Sequence, residues 1–246
     1  MSAPFATACI LSFNRLEFIQ QMIGTMVAYA GHPLEIIVHD DGTSDPTQRA
    51  YLHHLVNQGR ISTLIENPPG HNQGQGIALN RMFNMAKGDP IIKLDHDLIF
   101  REGWLRHSVD VLKANAEEWH NGFPRIGCLG LFKYEYEPVR FSDMLIADRG
   151  DFYEVEDFVG SAMVIPRASW EQFGPFGEHS EAFAEDAVFK QNVTASNDWC
   201  CALTKDDLCR NQGFGVGPST LVINEDHDLQ PFKREPKIIY PRGVRA

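Results

Sequence analysis

The 246 residues suffice for one generous domain, and with 43% hydrophobic and 22% charged residues the composition is that of a folded globular chain. No run approaches the roughly 20 apolar residues that cross a bilayer. The excess of 33 acidic over 22 basic residues, a formal charge of −11, disfavours a phosphate-tracking nucleic-acid surface.

In chain order, Phe5 to Ser12 reads as a buried strand. No basic residue precedes this apolar run and Asn14-Arg15 stop it, so it is a first strand and not a signal peptide. Leu16, Ile19, Met22, Ile23, Met26 and Val27 recur at helical spacing up to Gly31. Leu34–His39 is a second strand, Pro46–Val56 a helix and Ile61–Glu66 a third strand. After a turn-rich loop, Asn67 to Gly76, come a helix over Ile77–Ala86 and a strand over Ile91–Leu94. Strands and helices alternating at this spacing predict a parallel, doubly wound α/β half. Beyond Gly103 the pattern loosens. Trp104–Ala116 reads as helix, Ile126–Phe132 as strand, and Phe152–Pro166 as a strand region containing Gly160-Ser161-Ala162. Short helices over Arg167–Phe173 and Ala184–Val193 and a last strand, Thr220–Ile223, complete the set. No internal repeat or linker interrupts the chain, and the halves are expected to share one sheet. The five cysteines are odd in number, two are adjacent and none form C-x-x-C, which fits a reducing compartment. Together with the absent leader this predicts a cytoplasmic location.

Ligands of parallel α/β sheets bind at the carboxyl ends of the strands. The second strand runs into Asp40-Asp41-Gly42-Thr43-Ser44-Asp45, which is either a turn and helix cap or part of a site. The fourth runs into Asp95-His96-Asp97, a D-x-D triplet of the kind also found in many solvated turns, here directly after a buried strand. Carboxylates leaving a buried strand need a partner, and Mg²⁺ or Mn²⁺ takes one or two of them with phosphates and water filling its other positions. Gly70–Gly76 lacks the Gly-Lys-Ser/Thr ending of a P-loop and reads as a helix-entry loop that could lie over a nucleotide. Glu185-Asp186 open a helix, where acids either complement the helix dipole or supply a general base. His227, within Asn224–Asp228, is a third metal ligand or a loop histidine. Trp104, Trp170, Phe176 and Trp199 are core residues or acceptor-stacking ones.

Taken in order, these pieces resemble the GT-A fold glycosyltransferases, in particular glycosyltransferase family 2. The match runs through Ser12-Phe13-Asn14-Arg15, Ile37–Asp45, Asn67 and Asn80, Ala86–Asp97, Gly160–Ile165, Phe173–Glu178 and Glu185-Asp186. His96 at the centre of D-x-D and the long polar loop Pro68–Gly76 depart from the pattern. The resemblance implies an α/β/α sandwich around a mostly parallel mixed sheet. It also implies sugar transfer from a nucleotide-sugar donor, a UDP-sugar by preference, to the free hydroxyl of a carbohydrate or glycoconjugate. In that scheme Asp40 binds the nucleobase, with Asn14, Arg15, Asp41, Asn67, Asn80 and His96 also on the donor. Asp95 lies near ribose or metal, Asp97 coordinates Mn²⁺ or Mg²⁺, and His227 joins the metal late in the chain. Asp186, supported by Glu185, deprotonates the acceptor, so that a single displacement inverts the anomeric centre. Residues 1–246 are expected to form a single GT-A domain, with a nucleotide-binding half (1–100), an acceptor half (101–230) and a tail (231–246). A sugar-phosphate nucleotidyltransferase would carry a basic, Gly-rich N-terminal signature, which is missing here. A non-catalytic nucleotide-sugar-binding module would not need Asp186.

Overall fold

The computed structural model describes residues 5–116, 123–133, 141–178, 185–212, 221–223 and 229–231. The first half alternates as expected: β1 (Ala6–Ser12), α1 (Leu16–Tyr29), β2 (Leu34–Asp40), α2 (Pro46–Asn57), β3 (Thr63–Glu66), α3 (Gln75–Met85) and β4 (Ile91–Leu94). Then come β5 (Leu98–Phe100), α4 (Trp104–Ala114), β6 (Arg125–Gly130), α5 (Phe141–Met144), β7 (Leu145–Asp148), β8 (Phe152–Val155) and β9 (Ala162–Ile165). The chain continues with α6 (Arg167–Phe173), α7 (Glu185–Thr194), β10 (Trp199–Thr204), β11 (Cys209–Asn211), β12 (Leu221–Ile223) and β13 (Leu229–Pro231).

Nine strands form one sheet in the order β3-β2-β1-β4-β9-β6-β10-β8-β7. β1, β2, β3 and β4 run parallel, as do β6 and β10. β9 is inserted antiparallel between β4 and β6, and β8 and β7 close the far side antiparallel. Along β1 the side chains alternate between faces with period two. Ala8 and Ile10 join Met22, Val38, Trp104 and Leu129 on one side, while Cys9 and Leu11 join Leu79, Phe83, Met163, Trp170 and Phe189 on the other. Helices therefore cover both faces, and a strand such as β1 reads as one unbroken apolar run because both of its faces are covered.

Local chemistry sets several boundaries. Asp45 caps α2, its carboxylate accepting from the Thr47 N–H at 2.8 Å, and Pro46 follows where a helix needs no N–H. Asn14 and Arg15 adopt left-handed backbone, φ 56° and 63°, and turn the chain from β1 into α1.

The expected strand region Phe152–Pro166 is two strands, β8 and β9, divided at 156–161. β10 lay outside the sequence expectations, although it is buried throughout and pairs with β6 and β8. Trp104, Trp170, Phe176 and Trp199 are buried, as are all five cysteines, which are free thiols. Among the described residues no helix is long and apolar enough to cross a membrane.

Candidate active site

The site lies along the carboxyl edge of β1 to β4, where the sequence put its two acidic strand exits. Asp40, the last residue of β2, is fully buried. Thr43 Oγ1 and Ser12 Oγ donate to its Oδ1, the second over 3.3 Å, and Gln48 Nε2 holds Ser12 Oγ at 2.9 Å. Its Oδ2 has no hydrogen-bond donor among the described residues, and Arg49 Nη1 stands 3.9 Å away. Burial therefore raises the Asp40 pKa despite these donors.

Asp41 organises the neighbouring loop. Its Oδ1 accepts from Asn67 Nδ2 at 2.7 Å and from the Gln73 N–H at 2.8 Å, and its Oδ2 from the Gly74 N–H at 3.1 Å. The next residue, Gly42, has φ 88°, and a β-carbon there would fall 2.8 Å from the His71 carbonyl oxygen. Only glycine permits that approach. Asn14 joins the same corner, its main-chain N–H donating to Thr43 Oγ1 at 2.9 Å and its side-chain Oδ1 accepting from the Ser44 N–H at 3.3 Å. Asn80 is occupied differently from Asn67. Its Oδ1 accepts from the Phe176 N–H at 2.9 Å, and its Nδ2 donates to Phe176 O at 3.1 Å and Glu178 Oε1 at 3.0 Å. It clasps α3 to the segment before α7.

Asp95 and Asp97 follow β4. The Asp95 N–H donates to Ser161 O at 2.9 Å, fixing the exit against the start of β9. Asp97 Oδ2 faces Arg15 at 3.5 Å, and its Oδ1 accepts from Asn211 Nδ2 at 3.3 Å. Burial outweighs Arg15 and pushes the Asp97 pKa up to about 6, and burial raises Asp95 as well. The His96 ring beside Leu11 is held down to about 4 by burial and by Arg15, so it is a neutral imidazole at pH 7. Its Nε2 is buried without a partner among the described residues.

Across from these, Glu185 and Asp186 open α7, and both are buried. Two lysines hold them. Lys93, enclosed within β4, places Nζ 2.7 Å from Gly160 O, 3.3 Å from Asp95 Oδ1 and 3.5 Å from Glu185 Oε1. Lys190, one turn along α7, lies 3.1 Å from Asp186 Oδ2 and 2.6 Å from Asp157 Oδ1, and donates to Phe158 O. Burial lowers the pKa of both lysines, but the surrounding carboxylates outweigh it and raise them, so both remain charged. Glu185 is shifted upward, chiefly by burial.

The structure thus brings Asn14, Asp40, Asp41 and Asn67 together in one group and Asp95, His96, Asp97, Glu185 and Asp186 in another, with Arg15, next to Asn14, reaching Asp97. His227 lies outside the described residues. Lys93, Lys190, Arg49 and Asn211 were not among the sequence candidates. Of these only Lys93 carried a signal, as one lysine inside a wholly buried four-residue strand.

Among the described residues no three His, Cys, Asp or Glu side chains are grouped to hold a metal by themselves. Two partly compensated carboxylates with oxygen donors suit a hard divalent cation that takes its other ligands from a diphosphate and water. The protein set fits that division.

A mixed sheet with helices on both faces makes an α/β/α sandwich, and its likeness to the solved structures given below makes it a GT-A fold. Residues 7–173 match Glycosyl transferase family 2, and the chain belongs to that family. It is 28% identical over 108 residues to a protein from Nostoc sp. (strain PCC 7120) described as an uncharacterized glycosyltransferase, a stretch covering 43% of this chain and 32% of that protein. Among solved structures it resembles a mannosyltransferase from Pyrobaculum calidifontis in complex with GDP-Man and Mn²⁺, with a TM-score of 0.58 and 16% identity, covering 80% of this chain and 56% of that one. It also resembles residues 1–349 of S. aureus TarS in complex with UDP-GlcNAc, with a TM-score of 0.61 and 12% identity, covering 85% of this chain and 60% of that one. At these identities the likeness concerns the fold. The chain spans about a third of the Nostoc protein and less than two thirds of either solved chain.

Proposed function

We propose that this protein transfers a sugar from a nucleoside-diphosphate donor to an acceptor hydroxyl, with a divalent metal and with inversion. The observation that carries this reading is that one buried cation, Lys93, pairs with one member of each of two acidic pairs, Asp95 of Asp95/Asp97 and Glu185 of Glu185/Asp186. One pair suits the donor diphosphate and the other the attacking hydroxyl. Residues 1–100 then form the nucleotide half, 101–230 the acceptor half and 231–246 a tail.

Asp40 supplies the base contact. Its Oδ2, which accepts no hydrogen bond among the described residues, is the acceptor that a uracil N3–H needs, and a base arriving there must move Arg49 aside. Guanine offers N–H donors of the same kind. UDP-sugars are our first choice, and because one neighbour holds GDP-Man and another UDP-GlcNAc, both bases belong in the test. Asp41 and Asn67 shape the loop beside the nucleotide. Asn14 holds the corner between β1 and the Asp40 turn, and Asn80 ties the donor-side helix to the acceptor side. Arg15 steadies Asp97, and the neutral His96 presents an acceptor nitrogen between the two aspartates.

Asp95 and Asp97 would hold Mn²⁺ or Mg²⁺ with the donor diphosphate, and His227 is the candidate third ligand. When bound, such an ion neutralises charge on the departing nucleoside diphosphate. Asp186 accepts the proton of the acceptor hydroxyl, while Lys190 fixes its carboxylate and Glu185 supports it from the preceding position. A single displacement with the base on the side opposite the leaving group inverts the anomeric carbon. The acceptor hydroxyl is assigned to a carbohydrate or glycoconjugate.

Thermal stabilisation and calorimetry with UDP- and GDP-sugars, with and without Mn²⁺, test the reading, since a ligand of the folded state raises apparent stability. We expect metal-dependent binding that Asp97→Ala abolishes in a folded protein. Equal affinity in excess chelator refutes the metal, and no binding of either donor class refutes the donor.

A further inference from the structure

Lys93 is the one charged side chain in β4 and is almost fully enclosed. Its strand pairs with β1 and β9, whose facing residues Cys9 and Met163 are buried and apolar. Enclosing an ammonium this way is costly unless it is paired and hydrogen-bonded. Its partners are the Gly160 carbonyl at 2.7 Å, Asp95 at 3.3 Å and Glu185 at 3.5 Å. Asp95 belongs to the strand exit on the donor side, whereas Glu185 begins a helix on the acceptor side. Lys190 does not play this part, because its partners Asp157, Phe158 and Asp186 all lie beyond β8.

We propose that Lys93 is a positioning residue that joins Asp95 to Glu185 through one shared charge, so that a change at the acceptor-side carboxylate is felt at the donor site. This rests on the donor reading given above. The electrostatics give the coupling a sign. With Glu185 ionised, the Lys93 charge is divided between two carboxylates. With Glu185 neutral, the ammonium is left to Asp95 alone, and Asp95 becomes less available to a metal–diphosphate. Neutralising Glu185 therefore weakens nucleotide binding without touching the nucleotide. Buried groups in one ion-pair network typically show such non-additivity.

The test is a double-mutant cycle read in the Kd of UDP and of GDP with Mn²⁺, by calorimetry on the full chain. Glu185→Gln should weaken nucleotide binding about fivefold in the Lys93 protein. In a Lys93→Met background the same change should alter Kd less than twofold. A purely structural lysine would lower the melting temperature in both variants and leave the Kd effects independent. Should Lys93→Met not fold, Lys93→Gln, which can still donate to Gly160 O, replaces it in the cycle. An unchanged Kd in Glu185→Gln, or the same fold-change in both backgrounds, overturns the assignment while leaving the donor reading standing. Failure of the unsubstituted protein to bind either nucleotide overturns both.

Discussion

Gly160 and Asp186 approach so closely that a β-carbon on Gly160 would fall 1.6 Å from Asp186 Oδ2. The Gly160 carbonyl is also the nearest partner of Lys93, at 2.7 Å. One glycine thus sits beneath the candidate base and anchors the cation between the two acidic pairs. Gly160→Ala must displace the Asp186 carboxylate from Lys190, because the neighbouring main chain is held by Lys93. We expect kcat to fall about 10²-fold or more, within the span of lost general-base assistance, with nucleotide affinity changed by less than about threefold. Steady-state kinetics with a donor–acceptor pair, beside nucleotide calorimetry, read the two effects separately. A Gly160→Ala protein with normal kcat would remove Asp186 from the reaction.

Asp186→Asn keeps the shape and removes the proton acceptor, so turnover should drop about 10²–10⁴-fold with donor binding retained. Glu185→Gln should harm turnover less. If Asp186→Asn transferred normally and Glu185→Gln did not, the roles of the two would be reversed. A product that kept the donor's anomeric configuration, seen by NMR, would refute the single displacement.

In the proposed role of metal ligand, Asp97 would pit stability against ligand binding. Its carboxyl titrates near 6 in the folded protein because burial disfavours the ion. The folded state therefore holds the proton more tightly than the unfolded chain, and native stability falls as pH rises from about 4 to about 6. Asp97→Asn removes that penalty. At pH 7 the variant should be about 1–3 kcal/mol more stable than the unsubstituted protein, and the gap should close below about pH 4. Denaturant melts across this pH range check the sign. A variant less stable at pH 7 would show that Arg15 and Asn211 outweigh the burial of the charge.

Asp41 is predicted to act through its loop. Asp41→Asn would turn an amide N–H₂ toward one of the donors Asn67, Gln73 or Gly74 and cost the loop at least one of its charge-assisted hydrogen bonds, the Gly74 N–H keeping Asn72 Oδ1 as a second acceptor at 2.9 Å. The expected loss is about 1–3 kcal/mol of stability. Hydrogen exchange at the Gln73 and Gly74 amides should accelerate more than exchange in β1. Unchanged protection of those two amides would contradict the assignment.

For Asn80, whose amide is fully engaged with Phe176 and Glu178, Asn80→Ala should lower stability by about 1–3 kcal/mol. It should shift nucleotide Kd by less than about threefold in the folded protein. A loss of affinity larger than the stability change explains would place Asn80 on the donor itself.

The sequence determined the first half of the sheet because its signals are local. Apolar runs such as Ala6–Ser12 and Ile91–Leu94 mark strands buried on both faces, and the Asp45-Pro46 cap and Gly31 punctuate helices within a few residues. The places of Asp40, Asp95 and Asp97 at the carboxyl edge were readable because each stands at or just beyond the end of such a run, whereas turn, helix cap and binding site share that local pattern. Trp199–Thr204 escaped the same reading. Its adjacent cysteines speak in the sequence only for a reducing compartment, while its standing as a central strand depends on pairing with β6 and β8, distant in the chain. Only tertiary structure could separate Asn67, which serves Asp41, from Asn80, which clasps Phe176, since both are one residue type in one motif. It alone decided that Lys93 faces, beside Asp95 at the exit of its own strand, Glu185 at the start of α7. Ion pairing at 3–4 Å between residues of β4 and α7 is fixed by β9 being inserted between β4 and β6 and by the turn at Gly160, and no spacing along the chain encodes that meeting.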